Sequence, residues 1–196
     1  MGVVKDVSRE TSEKLAAFES LLRRWSKAIN LVSRGDQNEL RERHIADSLQ
    51  VAEYGTAART WCDLGSGGGF PGIVVSIARP ELGVTLVESD QRKATFLRTV
   101  ARELELNCQV LCERSEIATP QKADVVSARA LGPLDRLIGL AERHGRRDSS
   151  FIFPKGAAYR SEIAAARHKW RFGVDVHPSK TDKSAVILIL ENIERV

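Results

Sequence analysis

Cysteine is scarce in this sequence, and long hydrophobic runs are missing. The three cysteines, Cys62, Cys108 and Cys112, are an odd number without C-x-x-C spacing or a matching histidine cluster. They indicate neither a disulfide framework nor a zinc site, so we expect a cytoplasmic protein without a metal. The longest apolar runs, such as AVILIL, are too short to span a bilayer, and the N-terminus lacks the apolar segment of an export signal. We therefore expect no membrane association.

A strong excess of one charge is also missing. Thirty Lys and Arg against 26 Asp and Glu give a net charge of +4, which permits a polyanionic partner without requiring one. The sequence has no internal repeat, low-complexity tract or flexible linker, so we expect one domain. Residues 1–56 would form a helical extension packed on an α/β core of residues 57–196. A monomer without an obligate protein partner is the expected state.

Apolar periodicity predicts helices first and a mixed fold afterwards. Apolar residues recur every three or four positions from Leu15 to Ile29, as in an amphipathic helix. DQNE, starting at Asp36, is a capping box that predicts a second helix. Beyond it, short β-prone runs alternate with helical ones, which indicates a mostly parallel sheet with helices on both faces. The final runs FGVDV and SAVILIL predict an antiparallel hairpin at the sheet edge, and RHGRRDSS, residues 143–150, predicts a polar surface loop.

A glycine-rich stretch, WCDLGSGGGFPG, follows the first predicted strand. A strand ending at Asp63, a GSGGGF loop and a helix starting at Pro71 are typical of a nucleotide site, because glycine lets the backbone approach a ligand closely. A Walker A loop is excluded, since no Lys followed by Ser or Thr comes after the last glycine. The dinucleotide fingerprint G-x-G-x-x-G fails at Phe70. The alternative for the whole loop is a turn that binds no ligand. For Asp63 alone, the alternative is a helix N-cap.

The loop instead fits the D-x-G-x-G-x-G pattern of S-adenosylmethionine sites, with Asp63 followed by Gly65, Gly67 and Gly69. An acid suits this cofactor, because it carries an ammonium and a sulfonium instead of a pyrophosphate. The next strand ends in VTLVESD, which places Glu88 where a carboxylate can accept hydrogen bonds from ribose hydroxyls. Since dinucleotide enzymes use an acid there too, Glu88 supports a ribose without choosing between cofactors.

Motif order narrows the prediction to one family. The sequence from about Phe18 onward resembles the ribosomal RNA small subunit methyltransferase G family, also called GidB. The motifs that carry this resemblance are, in order, WSKAINLVS, RHIADSL, DLGSGGGFPG, VESDQRKATFLR and SARAL. The resemblance implies a class I S-adenosylmethionine-dependent methyltransferase with a Rossmann-like sheet. It also implies methylation of N7 of a guanine in the 530 loop of 16S rRNA, in the small ribosomal subunit or its precursor.

The resemblance also assigns residues to the cofactor. It places Ser115 and Glu116 beside the adenine, although ERSEI stands where the family more usually has R-x-E-E. Arg129 follows the predicted strand ADVVSA at the carboxyl edge of the sheet, where it could hold the cofactor carboxylate or a substrate phosphate, or form a surface ion pair. The full predicted set is Asp63, Gly65, Ser66, Gly67, Gly69, Phe70, Glu88, Ser115, Glu116 and Arg129.

The chemistry of guanine N7 agrees with what the sequence lacks. N7 offers a lone pair and no hydrogen, so its methylation needs alignment and not a base. SARA stands where methyltransferases for exocyclic amines commonly have a characteristic tetrad. Cys108 and Cys112 fall on a predicted strand, where we expect them to pack against other residues. No catalytic residue is assigned, and Arg129 and Lys155 are positioning candidates, with a solvated charge as the alternative for Lys155.

Basic residues in three regions are candidate RNA contacts. They are Arg23, Arg24, Lys27, Arg34, Arg41, Arg43, Arg143, Arg146, Arg147 and Lys155. His44 and Asp47 are expected to satisfy buried backbone groups instead of acting in catalysis. Two alternatives to the rRNA reaction remain: a methyltransferase for another RNA, a protein or a small molecule, and a module that binds S-adenosylmethionine without turnover.

Overall fold

A seven-stranded sheet organises the molecule, which is described by a computed structural model covering residues 7–32 and 40–196. The strand order is β3-β2-β1-β4-β5-β7-β6. Strands β1 to β5 pair in parallel, whereas β7 pairs antiparallel with both β5 and β6. The strands are β1 (Thr60–Leu64), β2 (Gly83–Val87), β3 (Cys108–Leu111), β4 (Ala123–Ala128), β5 (Gly145–Lys155), β6 (Trp170–Pro178) and β7 (Val186–Arg195).

Helices cover both faces of this sheet. They are α1 (Arg9–Trp25), a π-helix (Leu40–Ile45), α2 (Ala46–Ala52), α3 (Gly72–Ala78), α4 (Gln91–Glu103), α5 (Leu134–Ala141), a short 3-10 helix (Glu142–His144) and α6 (Tyr159–Ala166). Successive strand residues point to opposite faces, so Trp61 joins the core beneath α1 to α4, while Cys62 joins the core beneath α5 and α6. The predicted α/β fold with its C-terminal antiparallel hairpin is confirmed.

The N-terminal helices pack over the glycine loop and α3. Phe18 of α1 is fully buried, and its ring centroid lies 5.5 Å from that of Phe70. Trp25 makes a similar contact, at 5.7 Å, with Phe96 of α4. The apolar residues of α1 recur every three or four positions and form one face, and burial of that face stabilises the packing of the helix on the rest of the protein. The predicted helix start at Asp36 lies outside the described residues, and the division at residue 56 stays a prediction.

One predicted loop is a strand. RHGRRDSS was expected to be a surface loop, but β5 already begins at Gly145, which pairs with Ala123 of β4. The β4–β5 register shifts between Ala123 and Val125, and the buried Ser149 hydroxyl donates to the Ala123 carbonyl there at 2.7 Å. Pairing with β4 therefore overrides the polar composition of the segment.

Candidate active site at the carboxyl edge of the sheet

The glycine loop turns back onto the end of β2. Gly65, Gly67 and Gly69 have φ angles of +66°, +53° and +93°, a region that residues with a Cβ rarely adopt. The Gly65 amide donates to the Val87 carbonyl at 2.8 Å. A Cβ at Gly65 would lie 2.6 Å from Leu131 Cδ1. These glycines therefore form a backbone cradle at the carboxyl ends of β1 and β2.

Asp63 lies behind this cradle. It is fully buried, and its Oδ1 accepts a 2.7 Å hydrogen bond from Ser127 Oγ, while Oδ2 accepts one from the Gly72 amide at 3.2 Å. Ser127 Oγ in turn accepts from Trp61 Nε1 at 2.8 Å. The carboxylate thus connects β1, β4 and the start of α3. Its role in binding the cofactor stays a prediction.

The burial of Asp63 predicts a pH effect on stability. Desolvation raises the pKa of this carboxyl to about 6, against the lowering effect of its hydrogen bonds from Ser127 and Gly72. Since the folded pKa lies above the unfolded value, the folded state takes up a proton first as the pH falls. We expect the stability of the wild type relative to Asp63→Asn to increase by about 1.4 kcal/mol between pH 7.5 and pH 5. Urea unfolding of both proteins at the two pH values measures this difference, and a constant or opposite difference would contradict the assignment.

Glu88 joins the cradle to the end of β2. Its side chain is almost fully buried, and Oε2 accepts a 2.8 Å hydrogen bond from the Gly67 amide. Oε1 accepts one of 2.8 Å from the Asp90 amide, just before α4. A carboxylate at this strand end is placed as the sequence predicts for a ribose, and it also holds the loop in position.

A first cavity of about 100 Å³ opens beside the cradle. Gly65, Ser89, Ser115, Glu116 and Leu131 are among the residues that line it. It therefore brings the loop predicted to contact adenine next to the first glycine of the cradle.

The position of the Ser115 loop depends on a residue that sequence reasoning missed. His144 is fully buried, and its Nε2 donates to the Ser115 carbonyl at 2.8 Å. Burial lowers the pKa of His144, which keeps the ring neutral. A histidine in a polar RHGRR stretch carries no signal that would have separated it from the neighbouring surface residues.

A second cavity, of about 270 Å³, lies over the carboxyl ends of β4 and β5. It carries six charged residues: Arg43, Asp47, Arg129, Lys155, Glu162 and Asp182. Arg129 Nη2 lies 3.6 Å from Asp47 Oδ2, and both side chains are about one-fifth exposed. Lys155 Nζ is 2.5 Å from Glu162 Oε2 and donates to the Gly132 carbonyl at 2.9 Å, so Lys155 is held against the loop after β4.

The two cavities are adjacent. Leu131 lines the first cavity and its chain neighbour Ala130 lines the second. Both residues lie in the segment after β4, where parallel α/β proteins bind ligands. The carboxyl edge therefore offers two adjoining sites with a shared wall.

Residues 11–185 match the sequence model of a known family, rRNA small subunit methyltransferase G, also called GidB. The chain belongs to this family. A ribosomal RNA small subunit methyltransferase G from Cereibacter sphaeroides is 52% identical over 196 residues, which cover 97% of this chain and 95% of the relative. One from Gluconobacter oxydans is 45% identical, over 97% of this chain and 98% of the relative. The predicted family is confirmed. The prediction that the protein is an rRNA methyltransferase that uses S-adenosylmethionine is confirmed with it.

Solved structures share the fold at low identity. TYW2 of M. jannaschii in complex with AdoMet matches with a TM-score of 0.60 at 14% identity, over 87% of this chain and 80% of that one. The ribosomal protein L11 methylase of Lactobacillus delbrueckii subsp. bulgaricus matches with a TM-score of 0.61 at 16% identity, over 76% and 78%. These likenesses support the class I methyltransferase fold alone.

Phe70 and Ser66, two of the residues predicted to bind the cofactor, are buried. The Phe70 ring is 7% exposed and lies 5.3 Å from the His44 ring, centroid to centroid. Ser66 is 1% exposed and its hydroxyl donates to the Asp63 carbonyl at 3.0 Å. In this arrangement Phe70 and Ser66 shape the loop from behind. Their contact with the cofactor stays a prediction.

The candidate RNA contacts within the described residues lie in three places. Arg43 lies at the second cavity, whereas Arg143, Arg146 and Arg147 surround the start of β5, at the opposite edge of the sheet. Arg143 donates to the Ala118 carbonyl at 3.1 Å, and Arg146 pairs with Asp124.

On α1, Arg23 pairs with Glu19 at 2.8 Å and Arg24 is exposed, as is Lys27 just after the helix. Arg34 and the side chain of Arg41 lie outside the described part of the chain.

Two of the three cysteines, Cys62 and Cys108, do not offer a ready nucleophile. All three are free. Burial raises the pKa of the Cys62 thiol far above its usual range and that of Cys108 to about 11. A thiol that stays protonated is a poor nucleophile. Within residues 7–32 and 40–196, no group of three or more His, Cys, Asp or Glu could hold a metal ion, and no helix is long and apolar enough to cross a membrane.

Proposed function

We propose that the protein transfers the methyl group of S-adenosylmethionine to N7 of a guanine in the 530 loop of 16S rRNA. Family membership supports the rRNA substrate and the cofactor. The observation that carries the site assignment is the pair of adjoining cavities divided at Ala130 and Leu131. A methyl transfer needs donor and acceptor to meet in line, and two adjoining sites at one sheet edge support that geometry.

The residues around the first cavity fit the cofactor. We assign the ribose hydroxyls to Glu88, which accepts a hydrogen bond from the Gly67 amide beside the cavity, and the adenine to the Ser115–Glu116 loop, which lines the cavity together with Gly65. We assign the amino-acid carboxylate of the cofactor to Arg129, which follows β4 and lines the second cavity. The cofactor, when bound, supplies a methyl group on a sulfonium that leaves as a neutral thioether.

The residues of the second cavity act by positioning. Arg129 lies 3.6 Å from Asp47, and Lys155 is paired with Glu162, so each of these two cations has a carboxylate close by in the cavity wall. N7 has no proton to lose, so the walls need only orient the base and exclude water. We propose that no single titratable side chain is essential for the chemical step once both substrates are bound.

The finer features of this function are proposals as well. We propose one domain acting as a monomer in the cytoplasm, without an obligate protein partner. The shared core of α1, α2 and the sheet supports the single domain, and the three free cysteines suit a reducing compartment. Arg43 and Lys155, which line the second cavity, and the exposed Arg24 and Lys27 remain proposed phosphate contacts.

Labelled S-adenosylmethionine and small ribosomal subunits that lack the 530-loop methyl group test this function. We expect one methyl group per subunit, recovered as 7-methylguanosine by mass spectrometry of the digested rRNA. Parallel reactions with free 16S rRNA identify the form of the substrate. Transfer to neither substrate, by a protein that binds the cofactor, would contradict the proposal.

A further inference from the structure

The loop between β6 and β7 is fastened to α2 beside the second cavity. Gln50 of α2 is only 2% exposed; its Nε2 donates to the Pro178 carbonyl at 2.9 Å and its Oε1 accepts from the Lys180 amide at 2.9 Å. Ser179 Oγ donates to Asp47 Oδ1 at 3.4 Å. A buried side-chain amide satisfied on both sides by one loop fixes the position of that loop. This wall of the cavity is therefore formed in advance of any ligand.

Two of the three carboxylates in the cavity join different elements of the fold through ion pairs and hydrogen bonds. Glu162 lies 2.5 Å from Lys155 and also accepts from the Leu134 amide at 2.8 Å, which gives it a structural task at the start of α5. Asp47 lies 3.6 Å from Arg129. These two carboxylates hold the walls together.

The third carboxylate, Asp182, lies on the fastened loop. Its Oδ1 accepts hydrogen bonds from the Ser184 amide at 2.8 Å and the Ser184 hydroxyl at 2.7 Å. These bonds, and to a smaller degree the Arg43 guanidinium nearby, lower the pKa of Asp182, so the carboxylate is ionised at neutral pH. Asp182 thus presents a carboxylate to the cavity that hydrogen bonds from Ser184, in its own loop, hold in place.

We propose that the second cavity takes the acceptor guanine, turned out of the rRNA, and that Asp182 accepts hydrogen bonds from its N1–H and its exocyclic amino group. The proposal rests on the proposed function. N7 must face the first cavity, which borders the second at Ala130, so the Watson–Crick edge points away from Ala130, toward walls from other elements. Guanine presents two donors on that edge, whereas adenine presents the N1 lone pair, which a carboxylate repels.

The same contact favours the reaction itself. The bond between sulfur and the methyl carbon breaks with its electrons remaining on sulfur, while the N7 lone pair forms the new bond to carbon. The positive charge moves from the sulfonium to the base, and N1–H becomes a stronger donor. A carboxylate on N1–H therefore binds the transition state more tightly than the ground state.

Inosine tests this recognition, because it keeps N7 and O6 but lacks the exocyclic amino group. Small subunits are reconstituted with 16S rRNA that carries either guanine or inosine at the target position, and kcat/KM is measured for the wild type and for Asp182→Asn. We expect inosine to lower kcat/KM of the wild type about 10-fold, and Asp182→Asn to lower it about 30-fold with guanine. The variant should then separate the two bases by no more than about twofold.

Two controls separate recognition from folding. Asp175→Asn, on the exposed β6 strand, should retain wild-type values with both bases. Calorimetry should give Asp182→Asn the wild-type affinity for S-adenosylmethionine. An active Asp182→Asn that keeps the wild-type preference for guanine over inosine would overturn the inference alone. Failure of the wild type to methylate guanine subunits would overturn the proposed function, and the inference with it.

Discussion

Replacing Gly72 with alanine is expected to lower the free energy of unfolding by about 3 kcal/mol, near the upper end for overpacked cores. A Cβ at this position would lie 2.3 Å from Leu86 Cδ2 and 2.8 Å from both Cβ and Oδ2 of Asp63. Leu86 and Asp63 are fully buried, so neither can move aside without disturbing the sheet. Urea denaturation measures the loss.

Gly156→Ala is the matched control for that change. A Cβ at Gly156 would have nothing within 4 Å, and the residue is exposed. We expect its unfolding free energy to stay within about 0.5 kcal/mol of the wild type. Equal stability of the two variants would show that α3 does not need glycine to pack against β1 and β2.

Replacing Glu88 with glutamine is expected to weaken S-adenosylmethionine binding about 100-fold, the scale of a lost charge-assisted hydrogen bond. The carboxylate accepts from the Gly67 and Asp90 amides at once, and the amide group of glutamine would turn a donor toward one of them. It would also offer the ribose hydroxyls a poorer acceptor. Isothermal calorimetry with the purified variant gives the affinity.

Glu103→Gln, at the exposed end of α4, controls for the loss of one negative charge. This variant should bind the cofactor like the wild type. If Glu88→Gln bound within threefold of the wild type while remaining folded, the carboxylate would not be a ribose contact.

Local patterns explain why the sheet and the cradle could be predicted. Period-two and period-3.6 apolar patterns identify β1 to β4 and the helices between them, and positive φ angles at Gly65, Gly67 and Gly69 are what a glycine run predicts. The close helix–strand contact that the dinucleotide pattern assigns to a glycine at Phe70 is provided two residues later, by Gly72. The Phe70 ring packs against α1 instead.

The rest of the site depends on contacts between distant residues. Gln50 on a short helix looks like a surface residue, yet its amide holds Pro178, 128 positions away. Lys155 could not be assigned from sequence, because the Gly132 carbonyl and Glu162 that hold it come from two other segments. The surface loop predicted for residues 143–150 was wrong, because β5 begins with charged residues and its later residues are buried.

Substitution of one atom tests the central claim, that N7 of the 530-loop guanine is the atom that accepts the methyl group. Small subunits carrying guanine or 7-deazaguanine at the target are incubated with labelled S-adenosylmethionine and the protein. The account predicts one methyl group on the guanine subunits and none on the 7-deazaguanine subunits, which lack the N7 lone pair. Methylation of the 7-deazaguanine base at the target would contradict it, because the methyl group would then have another acceptor atom.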